Sequence, residues 1–84
     1  MHFGLGNYYA SQARWAEAQN SYFNAFRLDN DNPDYAYNLA IGLDHLAQRQ
    51  AAVKYYRLAL ELVGDQLPGF EQAVVQKRIE SITQ

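Results

Sequence analysis

Between Asp29 and Asp34 the chain reads D-N-D-N-P-D, a crowd of carboxylate and amide oxygens around one proline. Oxygens at that density could hold a hard cation. A calcium loop needs ligands at loop positions one, three and five, glycine at six and glutamate at twelve. Counted from Asp29, position five is Pro33, six is Asp34 and twelve is Ala40; counted from Asn30, Tyr35 replaces the glycine and Ile41 the glutamate. The loop therefore reads as a hinge, with Asn32 placed to cap a helix and Pro33 to open it, where its missing N–H costs nothing. Asp44 next to His45 suggests acid–base chemistry, but adjacent helical residues diverge and no nucleophile is near in sequence. His2 and His45 stand at no zinc-ligand spacing, and the chain has no cysteine. The expectation is a protein that is not an enzyme, with no metal and no cofactor.

The elements that position these residues follow from composition and periodicity. The chain has 84 residues, enough for one small domain with a modest core. A net charge of −2, with no cluster of Lys and Arg, excludes the footprint of a nucleic-acid binder. No apolar run is long enough to span a membrane, and no signal peptide opens the chain, so it reads as soluble with its compartment open. Seven Tyr, four Phe and one Trp among many Ala point to closely packed helices, with most of the tyrosines assigned to the core.

Sliding the chain along itself until Leu5 falls on Leu39 also sets Gly6 on Ala40, Tyr9 on Leu43, Ala18 on Ala52, Tyr22 on Tyr56, Ala25 on Ala59 and Leu28 on Leu62. Within each unit the spacings are helical: Leu39, Ala40, Leu43, Leu46 and Ala47 share one face, as do Ala52, Tyr56, Ala59 and Val63. Each unit is thus a pair of amphipathic helices. Gly6, Ala40, Ala18 and Ala52 let the helices approach, and Tyr22 and Tyr56 fill the space beside them. A last helix is expected over residues 69–82, with Val75, Ile79 and Ile82 on one face and Arg78 mostly elsewhere.

The pattern L-G-x-x-Y followed by A-x-x-x-Y-x-x-A, carried by Leu5, Gly6, Tyr9, Ala18, Tyr22 and Ala25, resembles the tetratricopeptide repeat, whose period equals the shift that brings these units into register. The likeness covers residues 1–62. It implies an all-α, TPR-like α-solenoid of two antiparallel helix pairs plus a capping helix: repeat one over 1–32, repeat two over 33–65, the cap over 69–82. It also implies tight turns near Gln12–Ala13 and Ala47–Gln48, where the residues themselves carry no Gly or Pro. The string N-P-D-Y-A-Y-N-L-A-I-G-L-D-H-L resembles bacterial repeat proteins, including accessory proteins of pilus-assembly and secretion machinery.

In that family the first helix of each pair lines a concave groove that grips a peptide or a partner helix. The groove positions here are Phe3, Asn7, Asp34, Tyr37, Asn38, Ile41, Asp44 and His45. Asn7 and Asn38 would stand side by side and hydrogen-bond a ligand backbone, although a purely structural role fits them as well, and Tyr37 and Ile41 could equally pack on the last helix. The carboxylate clamp of some family members lacks its basic residues here, and Asp34 and Asp44 are expected to repel an anion. The expected function is a protein–protein interaction scaffold that binds a peptide or partner helix; the alternative is a structural spacer or oligomerisation segment of a larger bacterial assembly protein. Entry into repeat one at its third position suggests a fragment of a longer chain whose exposed end helices self-associate.

Overall fold

The computed structural model describes residues 2–65 and 68–84, the side chains of residues 2–4 excepted. Phe3, the first groove position expected from sequence, therefore lies outside the described side chains. The described residues form five helices: α1 (His2–Ser11), α2 (Trp15–Leu28), α3 (Pro33–His45), α4 (Arg49–Val63) and α5 (Gln72–Thr83). Each helix packs on the next in chain order. The protein is all-helical.

Two turns fold the chain back on itself by the same device. In the first, the N–H groups of Gln12 and Arg14 both donate to the Tyr9 carbonyl, at 3.1 and 2.9 Å, and Ala13 N–H donates to Ala10. In the second, Leu46 and Gln48 donate to Leu43, at 3.2 and 2.9 Å, and Ala47 donates to Asp44. Every member of the second set follows its counterpart in the first by the same interval that separates Leu39 from Leu5. Both turns need one residue in the left-handed region, and both use alanine, with φ of 55° at Ala13 and 61° at Ala47. A Cβ there is penalised by roughly 1–2 kcal/mol. Glycine would relieve the strain but loosen the unfolded chain by about 0.4–1 kcal/mol. Converting both alanines to glycine is therefore expected to raise stability by about 1 kcal/mol in total, read as a higher urea midpoint; a lower midpoint would mean that the alanine methyls pack more than they strain.

The turn between α2 and α3 is built from side chains instead. Asn32 Oδ1 accepts from the N–H groups of Asp34 (2.9 Å) and Tyr35 (3.3 Å), and Pro33 opens the helix. Asn32 Nδ2 also donates to Asp29, at 3.4 Å. Asn32 and Asp29, which looked like cation ligands, are engaged in capping the helix and bracing its turn.

The core runs through Ala18, Tyr22, Leu39, Ala40, Leu43, Ala52, Val53, Tyr56, Val75 and Ile79. Small residues sit at the helix crossings and large ones fill the spaces between. At Gly6 the fit is tighter than size matching suggests: a Cβ there would lie 2.7 Å from the Tyr22 ring, so this ring rests on the bare backbone of α1. A Cβ on Gly42 would meet the Cα of Gln19 at 3.3 Å, which lets α3 approach the backbone of α2 closely. The tyrosines join the core to different depths, with Tyr9, Tyr37 and Tyr55 packed against the buried cluster that holds Tyr22 and Tyr56. Tyr22 and Tyr56 are buried, whereas Tyr8 is exposed and Tyr9, Tyr35, Tyr37 and Tyr55 are half-buried. A buried phenol needs a partner for its hydroxyl, and both buried tyrosines have found an acceptor: Tyr22 donates to Asn7 and Tyr56 to Asp44.

The last helix starts at Gln72, later than the expected 69. The reason is local: Gly69 N–H donates to Asp34 at 2.7 Å and Phe70 stacks on Tyr37, so this segment straps onto α3 before the helix begins.

Candidate functional site

A pocket of about 480 Å³ opens between α3 and α5. From α3 come Tyr37, Ile41, Asp44 and His45, spaced by three and four residues or adjacent, so that the first three share a face; from α5 come Val74, Val75 and Arg78; Tyr56 of α4 contributes at the side. Its walls are largely apolar, and its polar groups gather around Asp44.

Asp44 is the centre of that polar end. Arg78 donates to it through Nε (2.7 Å, to Oδ2) and Nη2 (2.6 Å, to Oδ1), and the Tyr56 hydroxyl donates to Oδ2 at 2.9 Å. The Asp44 side chain is 11% exposed and that of Arg78 40%. The Arg78 hydrogen bond, helped by that of Tyr56, holds the Asp44 carboxyl below the usual carboxylate range despite its partial burial. Burial, and then the hydrogen bond to Asp44, push the Tyr56 phenol well above its ordinary value. At neutral pH the arrangement is a carboxylate, a guanidinium and a neutral phenol.

This corrects two expectations. Arg78 does not point away from the core face of α5 but turns onto α3 to pair with Asp44. Asp44 in consequence does not stand in the groove as the bare anion that was expected, because the Arg78 guanidinium offsets its charge. Arg49, at the start of α4, adds a second positive charge near enough to lower the Asp44 pKa further.

His45, although exposed, is held against a neighbouring helix. Its ring stacks on Trp15 at the start of α2, with centroids 3.7 Å apart and planes within 2°. Asp44 bonds to α4 and α5 while His45 stacks on α2, so the adjacent pair is split between two contacts.

Of the positions read from sequence, the pocket gathers Tyr37, Ile41, Asp44 and His45. Asn7, Asp34 and Asn38 are not among its walls. Asn7 is exposed and its Oδ1 accepts from Tyr22. Asn38 donates to the Asp34 main-chain carbonyl one helical turn back, at 2.9 Å, and the Asp34 carboxylate accepts from Gly69. Both amides thus serve structural bonds. Tyr37 stacks on Phe70, with centroids 4.5 Å apart, and so packs against the segment leading into α5. Sequence reasoning missed Tyr56, Val74, Val75 and Arg78 as wall residues. A signal existed for two of them: the shift that sets Leu5 on Leu39, applied once more, sets Ile41 on Val75 and Asp44 on Arg78.

Compared with known proteins, the chain matches no family model and no curated sequence.

Proposed function

We propose that this chain is a protein–protein interaction module of the tetratricopeptide-like kind, which takes an apolar anchor of a peptide or partner helix into the pocket between α3 and α5. The observation that carries the reading is the pocket itself: at about 480 Å³ it falls within the range of ligand-binding clefts, with Tyr37, Ile41, Val74 and Val75 as apolar walls and the Asp44–Arg78 pair at one end. A Leu- or Phe-sized side chain would bury against these walls, and the ion pair would orient polar groups beside it. The turns repeated at one period support the solenoid part of the reading.

Val74 is the residue with which to test it, because it lines the pocket yet is 56% exposed and carries little of the core. Peptides selected from a random display library on the wild-type protein are expected to share an apolar anchor. They should lose at least about tenfold in affinity, roughly 1.4 kcal/mol, on Val74→Glu with the melting temperature unchanged. Equal binding by both proteins would remove the pocket from the function.

The spacer reading draws on a separate observation. Leu5 and Tyr8 on α1, and Phe23 and Leu28 on α2, are exposed apolar side chains. If they mediate association, sedimentation should show oligomers of the wild type that dissolve in Tyr8→Lys/Leu28→Lys.

A further inference from the structure

In the pocket reading α5 is a fixed wall, but its attachment differs from that of α3 and α4. α3 contributes six buried residues and α4 five, whereas α5 contributes two, Val75 and Ile79. Beyond these, Phe70 stacks on Tyr37, Ile82 packs at the core's edge, and two carboxylates of α3 hold the segment: Asp34 accepts from Gly69 N–H at 2.7 Å, and Asp44 takes the bidentate guanidinium of Arg78. Segments with few buried apolar side chains open at lower free energy than the core they rest on.

We propose that α5 is a displaceable self-ligand: it leaves the α3–α4 pair as a unit, and the face it uncovers accepts a partner's amphipathic helix built on the same pattern. That helix carries apolar residues at the positions of Val75 and Ile79 and a basic residue at the position of Arg78. Charge complementarity selects it. With α5 gone, Asp44 is a carboxylate whose two oxygens have lost their guanidinium while still accepting from Tyr56, and a buried-edge carboxylate in that state is satisfied by a bidentate arginine and penalised by an acidic or apolar residue. The apolar floor it uncovers is the surface on which Val75 and Ile79 now rest.

Displacement of α5 and binding in the pocket differ in one observable. A ligand seated in the pocket with α5 docked slows hydrogen exchange in α5; a helix that replaces α5 accelerates it.

The experiment is amide exchange by mass spectrometry on the full chain, wild type and Asp44→Asn, with and without a synthetic peptide of residues 68–84 as the probe, labelled with heavy carbon and nitrogen so that its fragments differ in mass from those of α5. In the wild type, α5 amides are expected to exchange at least about tenfold faster than those of α3 and α4. Asp44→Asn keeps an acceptor for Tyr56 but removes the charge, and should accelerate α5 alone by about ten- to hundredfold. Added peptide should bind and raise exchange in the protein's own α5, and the same peptide with Arg78→Glu should do neither. A common exchange rate for α3, α4 and α5 in both proteins would overturn the proposal, as would failure of the wild-type peptide to bind. Protection of α5 that rises with the concentration of the protein itself would assign the face to a second copy and overturn the foreign partner.

Discussion

Replacing Tyr56 with alanine is expected to cost about 3–5 kcal/mol, the largest loss from any single described side chain in this molecule. The ring is 2% exposed and lies at the junction of α3, α4 and α5, where it touches the core, meets Tyr37 at 6.2 Å between ring centres and donates its hydroxyl to Asp44. Its removal leaves a cavity among helices that cannot all close around it, since they are held apart by their other contacts. A domain of this size has roughly 4–13 kcal/mol of stability at the usual value per residue, so the variant sits near the edge of folding. Tyr56→Phe keeps the volume and loses one hydrogen bond, at about 1 kcal/mol. Urea midpoints for the three proteins should therefore fall in the order wild type, Phe, Ala, with a wide gap before the last. Similar midpoints for Phe and Ala would show that the hydroxyl, and not the ring, holds the junction.

The second large effect concerns the partner of that hydroxyl. Asp44→Ala removes the acceptor for Arg78 and Tyr56 together, and is expected to cost about 2 kcal/mol after discounting for the partial exposure of the arginine. Acid should reproduce part of this loss in the wild type. The native pKa of Asp44 is depressed, chiefly by the Arg78 hydrogen bond. The unfolded state therefore binds the proton more readily than the native state, and stability falls as the proton is taken up. The contribution is complete above the unfolded aspartate value of about 3.9 and disappears as the pH drops from there through the depressed native value. Equilibrium urea unfolding from neutral pH down into the acid range should show a steeper acid loss in the wild type than in Asp44→Ala. Parallel curves would mean that other carboxylates dominate the acid response.

The two networks at Tyr22 and Tyr56 show how far the linear pattern reaches. The equivalence of the two tyrosines was legible because both sit among small residues at a constant shift, and size matching is a property of the linear chain. Their hydroxyl partners were not. Tyr22 uses Asn7, while Tyr56 uses Asp44, so the two bonds do not obey the repeat. A hydroxyl takes whichever acceptor the neighbouring helix brings within reach, and this depends on rotation and approach that no spacing specifies. Asn7 and Asn38 teach the same lesson in reverse. Their pattern left a ligand-facing and a structural role equally open, and in the folded protein Asn7 accepts from Tyr22 while Asn38 donates to the Asp34 carbonyl.

Arg78 is the sharper case. On its own helix it is one of several charged residues beside an apolar stripe, and nothing local marks it. Only the docking of α5 against α3 brings it to Asp44, where pairing with a sheltered carboxylate outweighs exposure to water. The segment before α5 was misplaced for a related reason: the strap of Gly69 and Phe70 onto Asp34 and Tyr37 consumes residues that would otherwise begin the helix. His45 likewise gained a place through contact with Trp15, at the start of the preceding helix.

By itself, then, the sequence determined the helices, their periodic apolar faces and the Asn32–Pro33 start of α3, because these depend on residues within a few turns of one another. It also carried a recurrence at one constant interval, but the two turns were expected only from the resemblance to the tetratricopeptide repeat, since each passes through a strained alanine that no local propensity would choose. The tertiary structure alone decided which polar groups meet. The ion pair of Asp44 with Arg78, the strap onto Asp34, the stack on Trp15 and the pocket between α3 and α5 arise where helices distant in sequence come together, and their partners are set by approach and rotation, to which a one-dimensional pattern is blind.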